Sequence, residues 1–161
     1  MKFTTGTIEA LYMNLKNVQL SKLDDADKYK MVKNLFALKA VVDGLEEFKR
    51  EYAQKVQPEG WAEIAPQWEK IRTEGKEGCG LAADVVEMAE KVAAEYNEAV
   101  IRGIIKELNV VHDIELKRIS EKSYEAILCS GEMDMEMAML IGKCMVDLKE
   151  ETTEAVEETK E

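Results

Sequence analysis

Histidine is nearly absent from this chain: of 161 residues, only His112 carries an imidazole. A helical di-iron centre needs two Glu-x-x-His pairs, so that chemistry is excluded; Asn109 in any case stands three positions before His112. Nucleophilic triads also depend on a positioned base, and a lone His on the apolar side of a short strand reads as a hydrogen-bonded structural residue. Cysteine is scarce too. Cys79, Cys129 and Cys144 show no CxxC spacing and suit free thiols in a reducing compartment. No apolar run approaches the roughly 18 residues a membrane span needs. The opening "MKFTTGTIEALYMNLKNVQL" lacks the basic start and long apolar core of a signal peptide. The expectation is a soluble, cytoplasmic protein that engages no membrane.

An excess of basic charge is missing as well. The net charge is −11, and it is unevenly placed: residues 1–80 balance 13 acidic against 13 basic side chains, whereas residues 81–161 carry 20 against 9. Phosphate backbones are bound through Lys and Arg that release condensed counterions. Lys28, Lys30, Lys33 and Lys39 are the one basic grouping, and acids flank it. Nucleic-acid binding is therefore not expected, although the acidity of the second half leaves open a protein that mimics DNA. Phosphate-cradling glycine loops, nucleophile elbows and zinc patterns are also lacking. Gly75, Gly78 and Gly80 surround "KEGCG", but no strand pattern precedes them. Cys79 there reads as a surface thiol.

What is present is helix. Prolines number two and glycines nine, while 46% of residues are hydrophobic, enough to bury one core. Thr5 or Thr7 can cap a first helix with Ile8, Leu11, Tyr12, Leu15 and Val18 on one face. Ser21 and Asp24 then set up a new start. Met31, Leu35, Leu38, Val42, Leu45, Phe48, Tyr52 and Val56 recur in steps of three and four, which makes a helix of about 30 residues and about 45 Å. Gly44 lies within it. A second long helix over roughly 82 to 108 carries Leu81, Val85, Met88, Val92, Tyr96, Ala99, Ile104 and Leu108. Two apolar stripes of matching length bury each other best as an antiparallel, coiled-coil-like hairpin. Between them "QPEGWAEIAPQWEKIRTEGKEGCG" holds both prolines and both tryptophans. Residues 57–80 are read as an insertion at the hairpin tip, a turn or two of helix broken near Pro66, with Trp61 and Trp68 as candidate partner contacts.

Val110, His112, Ile114 and Leu116 alternate with more polar neighbours, the period-2 pattern of a short strand that pairs with the N-terminus around Phe3. Ser120 caps a short helix with Tyr124, Ile127 and Leu128 inward. "SGEMDMEMAMLIGKCMV" then places Met133, Met137, Leu140, Ile141, Cys144 and Met145 on one helical face, with Asp134 at its start. Met135 and Met139 fall on a second face, near Gly142 and Val146, and are the other candidate partner contacts. The methionines and Cys144 would suit a soft metal, but they follow a packing face rather than converge on a pocket. The closing "DLKEETTEAVEETKE" carries seven acids against two lysines and reads as a tail over 147–161. The expectation is one mainly α domain over 1–146: a long antiparallel helical hairpin, a small β-ribbon and short C-terminal helices.

The acid-rich helices raise one enzymatic alternative. All-α nucleotide pyrophosphatases hold Mg²⁺ on Glu-Glu-x-x-Glu and a later Glu-x-x-Asp. Here Glu46, Glu47 and Glu51 are spaced by one residue more, no Glu-x-x-Asp follows, and Asp84, Glu87 and Glu90 are the facing carboxylates to consider. They interleave with the apolar stripe as a solvated flank does. No catalytic residue, cofactor or metal ligand is assigned.

The order of parts carries a resemblance. "KFTTGTIEAL" leads to "LSKLDDADKYKMVKNLFALKAVVDGLEEFKREYAQKV", and "DIELKRIS" precedes a short helix and an apolar final one. Over residues 2–56 and 105–145 this resembles a family of small phage and prophage proteins known only as a domain of unknown function. Leu23, Tyr29, Lys33, Asn34, Phe48, Lys49 and Arg50 occupy places similar to the family's; Asp24 stands where proline is common, and the Trp-bearing tip and acidic tail are additional. The resemblance implies a phage or prophage origin, in the host cytoplasm or virion. It also implies a non-catalytic role. The favoured reading is an interaction or assembly protein, such as a virion component or accessory factor, and the Met135 and Met139 face points to a protein partner or another copy of the chain.

Overall fold

The structure, a computed structural model, describes residues 1–129 and 133–147; the acidic tail, apart from Asp147, lies outside them. The described chain is mainly α. Its elements are β1 (Lys2–Thr4), α1 (Thr5–Leu15), α2 (Asp25–Lys55), α3 (Trp61–Gly78), α4 (Ala83–Leu108), β2 (Val111–Asp113), α5 (Glu121–Leu128) and α6 (Met135–Met145), with a 3₁₀ turn at Leu20–Lys22. Two compact units share them. One comprises Met1, Ala10–Leu38 and the described residues from Asp113 onward; the other comprises Lys2–Glu9 and Lys39–His112.

The second of these holds the hairpin. Its outgoing limb is the end of α2 followed by α3, and its returning limb is α4. Tyr52 lies over Gly103, Trp61 packs on Tyr96 with ring centroids 4.6 Å apart, and Lys76 pairs with Glu90 at 2.7 Å. Partners descend along α4 as the outgoing chain ascends, so the limbs are antiparallel. Residues 57–80 do not show the expected break near Pro66. They form a helix of 18 residues that runs through Pro66 and kinks only at Gly75, whose φ is 78°. A proline inside a helix forfeits one backbone hydrogen bond and costs about 3 kcal/mol. Ile64, Trp68 and Ile71 offset this by packing with Cys79, Leu81, Val86 and Ala89. Cys79 is accordingly a core thiol, fully buried, with Sγ donating to the Lys76 carbonyl at 3.2 Å.

The buried face of α4 is also turned by about one position from the expected stripe. Val86, Ala89, Ala93 and Gly103 are buried, while Met88 is 50% exposed. Small side chains at the centre of a helix contact let neighbouring backbones approach, and the larger Val85 and Val92 are displaced to its half-buried edges. Gly103 shows the limit: a Cβ there would overlap the Tyr52 ring. Tyr96 closes the same contact, its hydroxyl donating to the Ala53 carbonyl at 3.0 Å.

The ribbon forms as expected, but short. β1 pairs antiparallel with β2: the Thr5 amide donates to the Val110 carbonyl at one end, and the Ile114 amide to the Met1 carbonyl at the other, each at 2.9 Å. β2 stops at Asp113, and beyond Ile114 the Lys117 amide turns to Asn34 of α2. The α1 cap is Thr4 rather than Thr5 or Thr7. Its Oγ1 accepts from the Thr7 amide at 3.2 Å. Thr5 is buried, with Oγ1 3.3 Å from the Val110 carbonyl oxygen and 2.9 Å from His112 Nε2. The single histidine is thus hydrogen-bonded within the fold.

In the other unit, Met31 and Leu38 of α2 are buried with Leu11, Leu15, Ile119, Ile127, Ile141, Met145 and Val146. Ser21 sits in the 3₁₀ turn and does not cap α2. Asp24 precedes that helix, its carbonyl accepting from the Asp27 and Lys28 amides at 2.9 and 3.0 Å. The linker before α5 is held by polar side chains of α2. Asn34 accepts from the Lys117 amide at 2.7 Å and donates to the Lys117 carbonyl at 2.8 Å. Ile119 forms a parallel bridge with Val146.

Candidate interaction surface

α6 begins at a well-made cap. Asp134 Oδ1 accepts from the Met137 amide at 2.7 Å, satisfying one of the free N–H groups of the first turn. Its inner face buries Ile141, Gly142, Cys144 and Met145. α5 lies against this helix through Tyr124, whose hydroxyl donates to the Ala138 carbonyl at 2.6 Å. That hydroxyl would stand 3.0 Å from a Cβ on residue 142, so glycine is what permits the approach.

Met135 and Met139 lie on the outer side, 75% and 67% exposed. The second face expected from their spacing is narrower than the sequence suggests, because Gly142 and Val146 are both buried. Met135, Glu136, Met139 and Lys143 make up the exposed strip. Leu128 of α5, expected inward, is exposed. The other two candidates are engaged within the hairpin. Trp61 stacks at a tilt on Tyr96, and Trp68 packs on the Ile71, Cys79, Val86 and Ala89 cluster.

Two further apolar surfaces had no signal in the expected stripes. On α2, Tyr29 and Phe36 are 64% and 69% exposed, two turns apart on one face, and the Lys33 ammonium lies 4.7 Å from the Tyr29 ring centroid. On α4, Ile101 and Ile105 are exposed one turn apart. Residues of apolar type outside the inward period are the only sequence trace of either.

The acid-rich helices place the candidate carboxylates in ion pairs or in solvent. Glu46 pairs with Lys49 at 2.7 Å, Glu47 with Arg50 at 3.8 Å and Glu90 with Lys76, while Glu51, Asp84 and Glu87 are exposed. Among the described residues, no three His, Cys, Asp or Glu side chains converge as metal ligands would. A cleft of about 350 Å³ is lined by Met1, Glu115, Leu116, Lys117, Arg118 and Cys144. Burial pushes the Cys144 thiol up to about 11, so at neutral pH it is protonated and a poor nucleophile. No helix among the described residues is long and apolar enough to cross a membrane.

No protein-family model, curated protein or solved structure matches this chain.

Proposed function

We propose that the protein is a non-catalytic interaction or assembly protein of phage or prophage type, working in the host cytoplasm or virion through contacts with a protein partner. The outward Met135–Met139 pair on α6 supports this reading. Two unbranched thioethers, held at the surface of a helix whose inner face is buried, adapt to irregular apolar surfaces as branched side chains do not. The carboxylates that an Mg²⁺-dependent hydrolase would need are instead spread over ion pairs and solvent.

Two measurements test the reading. Capsid or tail genes beside the coding sequence are the expected setting; an isolated position among metabolic genes would count against it. Mg²⁺ or Mn²⁺ is expected to leave the melting temperature unchanged, with no hydrolysis across a panel of nucleoside triphosphates. A metal-dependent rise in melting temperature that Glu47→Gln abolishes would establish a carboxylate site by mass action and overturn the proposal.

A further inference from the structure

We propose that one partner of this protein is a second copy of itself, with the Met135–Glu136–Met139 strip of α6 in one copy docking on the Tyr29–Lys33–Phe36 strip of α2 in another. This deepens the assembly reading above and rests on it.

The two strips are complementary in chemistry and in order. On α2 a cation lies between two exposed aromatic rings; on α6 an anion lies between two exposed thioethers. Lys33 makes no ion pair among the described residues and is laid against Tyr29. Glu136 likewise has no ion-pair partner among them, whereas most neighbouring charges on α2 are already matched: Asp25 with Lys28, Asp27 with Lys30, and Asp43 with Lys39. An antiparallel register sets Met139 on Tyr29, Glu136 on Lys33 and Met135 on Phe36. The span from residue 29 to 36 is about 10 Å and that from 135 to 139 about 6 Å, within the reach of these long side chains. Sulfur–aromatic contacts and a partly desolvated ion pair both favour the contact. The strips are small beside a standard interface, so the association is weak, with dissociation constants on the order of 100 μM.

Because the two strips differ, charge reversal tests the contact without destroying either helix. Both target residues are exposed, and circular dichroism serves as the folding control. Wild-type chain is expected to show a weight-average mass that rises with concentration in sedimentation equilibrium. K33E and E136K each set like charges against one another and lower the association constant by about tenfold or more. Mixing K33E with E136K in equal amounts restores opposite charges at every junction, so the mixture associates while each variant alone does not. Met139→Lys, which removes an anchor instead of the charge match, is expected to abolish association with or without mixing. A wild-type chain that stays monomeric up to millimolar concentration overturns the contact, as does association that both reversals leave unchanged, or a mixture no more associated than its components. Should a reversed chain fail to fold, the Met139→Lys chain decides alone, its undiminished association overturning the contact. Failure here leaves the gene setting and metal tests of the broader reading to be answered separately.

Discussion

Asp27 and Ser120 stand 93 residues apart in sequence, and one carboxylate oxygen of the first accepts both the amide (3.0 Å) and the hydroxyl (2.6 Å) of the second. Ser120 is the cap of α5, its hydroxyl oxygen accepting in turn from the Ser123 amide at 3.2 Å. The other oxygen of Asp27 takes the Lys30 ammonium at 2.8 Å. A single buried carboxylate on α2 thereby fixes where α5 begins.

Burial alone would raise the Asp27 carboxyl, but the hydrogen bonds from Lys30 and Ser120 outweigh it and hold the group well below the usual carboxylate range. A depressed folded-state value contributes stability that is complete above the unfolded value, near 4, and is lost as pH falls through the folded one. Asp27→Asn is expected to cost about 2 kcal/mol at pH 7. Urea unfolding at pH 7 and pH 3 checks the sign: the gap between wild type and variant should shrink at the lower pH. A gap that widens on acidification would show that Asp27 is not the stabilising anion.

Two glycines on the hairpin limbs should respond oppositely to alanine. A Cβ at Gly44, inside α2, meets nothing within 4 Å, so Gly44→Ala should stabilise by about 1 kcal/mol through helix propensity. Gly103→Ala drives a methyl group into the Tyr52 ring and should cost about 1–3 kcal/mol. Denaturation midpoints of the two variants falling on the same side of wild type would contradict this packing.

Leu38 is fully buried on α2. Leu38→Asp introduces a carboxylate with no partner and should cost about 4 kcal/mol or more. Thermal melting monitored by circular dichroism reads it directly; a melting temperature within a degree or two of wild type would mean that the inward face of α2 is assigned wrongly.

The three thiols should separate kinetically. Cys129 is exposed, whereas Cys79 and Cys144 are buried, and burial also keeps Cys144 protonated well above neutral pH. A disulfide reagent at pH 8 is expected to modify one thiol quickly and the other two only on unfolding. Rapid modification of a Cys129→Ser chain would show that the core around Cys79 or Cys144 opens readily.

Periodicity determined the two long helices, the short strand after α4 and the outward turn of Met135 and Met139, and residue type marked the cap at Ser120. Each of these is legible within one chain segment, where apolar residues must share a face to leave water. Tertiary structure decided the rest. Helix α3 runs through Pro66 because Trp68 and Ile71 find a surface on α4, a gain that no local rule can weigh against the proline penalty. The inward face of α4 turned toward Ala89, Ala93 and Gly103 because close helix packing rewards small side chains, whereas a hydrophobicity count favours large ones. Asp27 and Asn34 look in sequence like ordinary polar positions on a helix. Only the fold brings Ser120 and Lys117 to them, since a hydrogen bond between residues more than 80 apart leaves no periodic mark on the chain that makes it.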